Sequence, residues 1–127
     1  MVAMFFYKMI FMRNVYVYDK KKYFYFFLRK RLINDFNLLR INESEMLNFK
    51  STNNNDICIF VLNDVIDAID FIKFNSLFKD RIIICTEKKY IHEEFNILLK
   101  NKSVDISKLK NGFVQDLLFK INKLITY

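Results

Sequence analysis

The residues that could do chemistry are few, and they stand where apolar runs end. Asp19 and Lys20 follow Val15-Tyr16-Val17-Tyr18, Asp64 and then Asp67 follow Ile57 to Leu62, and Thr86 follows Ile82-Ile83-Ile84-Cys85. In open α/β sheets ligands and reacting groups gather where strands hand over to helices, so these are the positions to test first. At one of them an acid is followed at once by a cation. A hard divalent ion requires several oxygen ligands, so a single acid beside an ammonium group is a poor site for one. Ser103 and Ser107 have no base adjacent in sequence, and His92, in Ile-His-Glu-Glu, is expected on the polar side of a helix as a solvated surface residue. Metal ligation by Cys58 and Cys85 is disfavoured, because there is no CxxC and the single histidine has no second ligand at helical spacing. Both cysteines lie inside apolar runs and are expected as free buried thiols in a reducing compartment. With one glycine, Gly112, no glycine-rich phosphate loop can form, so nucleotide-dependent chemistry is disfavoured and no cofactor is expected.

The elements that position these residues follow from apolar spacing. Asp56 to Asp64 holds six uninterrupted apolar residues between polar flanks, the pattern of a strand buried on both faces. A first strand is predicted at Asn14 to Tyr18, a second at Phe36 to Ile41, a fourth at Arg81 to Thr86 and a short fifth at Val104 to Ser107. Helical spacing marks Lys20 to Asn34, Val65 to Phe74, the segment around Ile91, Phe95, Leu98 and Leu99, and a closing helix from Val114 to Ile125. Asn42 with Glu45 three residues later is a helix start signal for a further short helix through Phe49. Five strands alternating with five helices predict an α/β domain with a parallel sheet covered on both faces.

Length and composition agree with one domain. The chain has 127 residues, 53% hydrophobic and 28% charged, with 15 Phe, 7 Tyr and no Pro. With glycine nearly absent, turns should fall to asparagine, and Asn53 to Asn55, Asn63, Asn75, Asn101 and Asn111 are expected in loops, as is Gly112. Residues 1–11 read as an N-terminal extension to a domain covering 12–127. The opening run MVAMFFYKMIFM is too short to cross a bilayer and lacks the order of a secretory signal, so no stable membrane insertion is expected. Packing on the domain, fraying, a membrane-surface anchor and a dimer contact are the readings open for it. A net charge of +7 favours anionic partners without identifying one.

From about Met12 to its end the chain resembles the receiver domain of bacterial response regulators, on element order, Asp19, Thr86 and a lysine before the closing helix. The resemblance implies a flavodoxin-like strand order, 2-1-3-4-5. It also implies a magnesium ion held by two adjacent acids after the first strand, where this chain has Asp19 and Lys20. The phosphoacceptor aspartate of that family maps to Val61, or to Leu62 with a one-residue shift, and neither can take a phosphoryl group. Thr86 matches the family's hydroxyl, and Lys110, or Lys108, its lysine. The proline after that lysine is Asn111 here, and the aromatic of the fifth strand falls near Ile106 or Ser107.

The expectation is therefore a degenerate pseudo-receiver, non-enzymatic and cytoplasmic, that acts in bacterial signalling by binding a protein partner or a second copy of itself. The surface such domains generally use implies contacts at Tyr90, Glu94, Lys100, Lys108 and Lys120. One rival is a nucleic-acid-binding regulator using the basic first helix at Arg29, Lys30 and Arg31, interleaved with Tyr23, Tyr25 and Phe26. The other is an atypical receiver phosphorylated at Asp64.

Overall fold

Apolar runs with no polar interruption can sit only where both faces of a sheet are covered, and that is how the chain arranges them. The structure, a computed structural model, describes residues 13–32, 36–42, 45, 56–64, 66–100, 102–107 and 111–125. Its elements are β1 (Asn14–Tyr18), α1 (Tyr23–Leu32), β2 (Asn37–Ile41), β3 (Ile57–Val61), α2 (Asp67–Phe78), β4 (Ile82–Thr86), α3 (Lys89–Leu98), β5 (Ser103–Asp105) and α4 (Asn111–Ile125). The strands form one parallel sheet in the order β2-β1-β3-β4-β5, the flavodoxin-like arrangement. β3 lies in its centre, and all five of its residues are buried.

Each face of the sheet has its own core. On one side Val15, Val17, Ile57, Ile59 and Val61 meet Phe24, Leu28 and Leu32 of α1 and Phe113, Leu117 and Ile121 of α4. On the other, Tyr18, Cys58, Phe60 and Leu62 meet Phe71, Phe74 and Phe78 of α2 and Ile91 of α3. The abundant aromatics fill this second core. The Tyr18 ring stacks on Phe60 at 4.7 Å and tilts against Phe74 at 4.7 Å, while Phe71 meets Phe60 edge-on at 5.6 Å. Cys58 and Cys85 belong to opposite cores, both buried and both free. Adjacent strands can hold two cysteines that never face one another, because side chains alternate across a sheet.

Several boundaries differ from those the sequence predicts. α2 runs four residues past Phe74, because Phe71, Phe74 and Phe78 fall on one buried face. Asn75 is therefore inside a helix, and Asn111 and Gly112 lie in α4, with no strain at Gly112 to require a glycine. Among the described residues the left-handed positions go to Lys22, Lys79, Asp80 and Lys100, and asparagine takes none. β5 begins at Ser103 and ends at Asp105, one residue earlier than expected at its start. Of the short helix after Asn42, only Glu45 is described; its amide donates to Asn42 Oδ1 at 2.8 Å, the bond its start signal calls for. The N-terminal extension lies outside the described residues.

Candidate functional site

β1 and β3 are neighbours, so the loops leaving their C-terminal ends meet, and these loops carry most of the candidate residues. Asp19 is the first residue after β1 and is almost wholly buried. Its carboxylate accepts three backbone N–H groups: Oδ2 from Phe24 at 2.9 Å and Tyr25 at 3.1 Å, and Oδ1 from Lys21 at 3.2 Å. The Phe24 and Tyr25 amides are donors that the first turn of a helix cannot pair within itself, and the Lys21 amide lies in the turn before it. Asp19 thus acts as the cap of α1.

Asp67, at the start of α2, plays the matching part for β3. Its Oδ2 accepts the amides of Asn63 at 2.9 Å and Asp64 at 3.0 Å, which ties the β3–α2 loop to the helix. Its Oδ1 lies 2.9 Å from the Lys20 ammonium, which also reaches Asp70 Oδ2 at 3.5 Å. Asp70 in turn accepts the Tyr18 hydroxyl at 2.9 Å. Lys20 therefore stands as a cation between two carboxylates, linking the β1 loop to α2. Spacing hints at this pair of acids, since Asp67 and Asp70 share the first turn of one helix. Nothing local links them to Lys20, and sequence reasoning misses the bridge.

The other residues of the expected pocket are also engaged or turned away. Val61 packs in one core and Leu62 in the other, so neither side chain faces this loop cluster. Asp64 is exposed beyond the strand end. Thr86 is buried and its Oγ1 accepts the Lys88 amide at 3.2 Å, a turn that starts the approach to α3. Lys108 and Lys110 lie outside the described residues. The magnesium ion that the receiver resemblance implies does not fit the donors present: the Asp19 oxygens are occupied by amides, and the Asp67 oxygens by amides and an ammonium group. Among the described residues no cluster of three His, Cys, Asp or Glu could hold a metal.

Compared with known protein families, curated proteins and solved structures, the chain matches none. Its functional reading therefore rests on its own residues.

One correction lies at the other edge of the sheet. His92 is not a fully solvated residue: its Nδ1 is 2.9 Å from the Oγ of Ser103, so Ser103 does have an imidazole neighbour. The pair was hidden because a helix-to-strand return brings the two together. Ser103 is fully buried, so no substrate reaches the hydroxyl, and the contact joins α3 to β5. Lys120 is half-buried, donating to the Ser103 carbonyl at 2.6 Å and to Asp116 Oδ2 at 3.0 Å. Tyr90, Glu94 and Lys100 are exposed on the face on which the resemblance places partner contacts. Arg29, Lys30 and Arg31 are exposed on α1, with Arg31 resting over the Phe27 ring at 5.0 Å. No described helix is long and apolar enough to cross a membrane.

Proposed function

We propose that this chain is a phosphorylation-independent binding module, a pseudo-receiver that engages a protein partner through α3, β5 and α4 in bacterial cytoplasmic signalling. The observation that carries the reading is the state of Asp19, Lys20 and Asp67. Phosphoryl transfer depends on positioning and charge neutralisation around a reactive oxygen and a cation. Here Asp19 and Asp67 serve as helix and loop caps, and the Lys20 ammonium lies against Asp67 and Asp70. Such an arrangement fixes loops and commits Asp19 and Asp67 to donors other than a metal ion. The exposed residues Tyr90, Glu94 and Lys100 supply an aromatic and both charges, a composition suited to protein recognition.

Incubation with a small-molecule phosphodonor and magnesium is expected to leave the intact mass unchanged. A gain of one phosphoryl group that disappears in Asp64→Asn overturns the reading in favour of the atypical receiver. Partner capture from the native cell is expected to fall with Tyr90→Ala and with Glu94→Lys, and to persist with Arg29→Glu.

A second reading is supported by α1. Its outer side carries Arg29, Lys30 and Arg31, with Tyr23 and Phe26 exposed in the turns before them, and α1 contains no acidic residue. Cations interleaved with aromatic rings suit a single-stranded nucleic acid. Binding that weakens steeply with salt and is lost on reversing Arg29, Lys30 and Arg31 supports that reading, and no binding at low salt removes it.

A further inference from the structure

α2 buries Phe71, Phe74 and Phe78, while Ile69, Ile72 and Ile66, the last being its N-terminal cap residue in helical backbone, are exposed at 63%, 69% and 69%. Residues three apart on a helix are neighbours, so these isoleucines make one stripe. It extends for about 9 Å at 1.5 Å per residue. Helix propensity does not account for it, since isoleucine is a poorer helix former than the lysine so abundant in this chain. Three bulky apolar side chains in a row mark a contact.

Charge identifies what that contact is. A chain with a net charge of +7 repels its own copies over most of its surface, and most strongly at α1, which carries exposed Arg29, Lys30 and Arg31 and contains no acidic residue. The outer side of α2 differs. It carries one lysine, Lys73, just past Ile72, and Asp64 stands beyond its other end. A basic group at one end of an apolar stripe and an acidic group at the other complement each other when two such helices lie antiparallel.

We propose that α2 packs antiparallel on α2 of a second copy, about a two-fold axis near Ile69. That axis sets Ile69 of one copy against Ile69 of the other, and Ile66 against Ile72. It also sets Lys73 of each copy beside Asp64 of the other, so this ion pair forms twice by symmetry. The isoleucines drive association, because exposed ion pairs add little. The charges select direction: a parallel pair sets Lys73 against Lys73 and Asp64 against Asp64. This contact is separate from the α3, β5 and α4 face and stands independently of the function proposed for it.

Light scattering across a concentration series is expected to show a reversible dimer of the full chain. Ile69→Asp, which opposes two acids at the axis, is expected to give a monomer with an unchanged circular dichroism spectrum. Lys73→Asp and Asp64→Lys are each expected to weaken the dimer several-fold. Mixed together, those two single variants regain both ion pairs, so a heterodimer of wild-type affinity is expected even if Ile69→Asp fails to fold. A full chain that stays monomeric overturns the proposal. So does a dimer that survives Ile69→Asp, or one lost on deleting residues 2–11 but kept in Ile69→Asp.

Discussion

At the residue scale, the informative side chain is Asp67. It is nearly buried and satisfies three donors on two elements: the amides of Asn63 and Asp64 and the ammonium of Lys20. Truncating it strands two amides and removes a charge-assisted contact, so Asp67→Ala is expected to destabilise the fold by roughly 2–4 kcal/mol. Asp67→Asn keeps one acceptor oxygen and is expected to cost less. Lys20 is different, because its side chain remains 39% exposed and water screens its charge. Lys20→Ala is expected to cost no more than about 1 kcal/mol, even with Asp67 left unpaired, because solvent can reach the vacated position. Urea midpoints of the three variants test this order. A Lys20→Ala cost equal to that of Asp67→Ala would show that the ion pair, and not the amide cap, holds the β3–α2 loop.

At the element scale, the chain folds with almost no glycine, and its turns show the consequence. Lys79 ends α2 in a left-handed conformation at φ 50°, with its amide donating to the Asn75 carbonyl. Left-handed backbone costs an L residue roughly 1–2 kcal/mol. Glycine's extra freedom in the unfolded chain takes back about 0.5–1 kcal/mol of that relief. Lys79→Gly is therefore expected to stabilise the protein by about 0.5–1 kcal/mol. Glu94→Gly, in the middle of α3, is expected to cost about 1 kcal/mol. Thermal midpoints moving in opposite directions confirm the contrast, and a loss in both variants refutes it. The same turn explains which parts of the structure were legible in the sequence. The runs Ile57–Val61 and Ile82–Thr86 announced central strands because no polar residue interrupts them, and the strand order followed from the receiver likeness. The end of α2 was obscured because Asn75 and Ser76 look like a loop, while Phe78, three residues beyond Asn75, is the residue that holds that turn on the core. Asp19 could be seen as a strand-end acid, but its role as a helix cap depends on backbone direction. The Lys20 bridge and the His92–Ser103 contact join segments distant in the chain, and no periodicity records such pairs.

At the scale of the whole molecule, the two thiols report on whether the two cores open together. Cys58 lies in one core and Cys85 in the other, and burial pushes both thiols well above their ordinary value of 9.0. For Cys58 the neighbouring Cys85 adds to the shift; for Cys85 the Lys120 ammonium opposes it, against contributions from Asp116 and Asp19. Below 9.0 both folded and unfolded chains keep these protons, so the thiols do not change stability. Above it the unfolded chain releases them while the folded chain does not, and stability is lost as pH rises. The slope is about 1.4 kcal/mol per pH unit for each thiol. Urea midpoints measured from pH 8 to pH 10 are expected to fall less steeply in a Cys58→Ala, Cys85→Ala double variant; equal slopes would exclude the thiols as the cause. The single variants then separate the two faces. A sheet shared by both cores cannot lose one layer of helices without exposing the apolar side of all its central strands, so opening is expected to be all-or-none. Cys85 in the Cys58→Ala chain and Cys58 in the Cys85→Ala chain are therefore expected to react with a thiol reagent at rates set by each variant's own global stability, and to share its dependence on urea. A thiol that reacts faster than global unfolding allows, with a shallower urea dependence, would show that its face opens separately. For Cys58 that face contains α2, whose packing on Tyr18 and Phe60 would then be the weaker of the two layers.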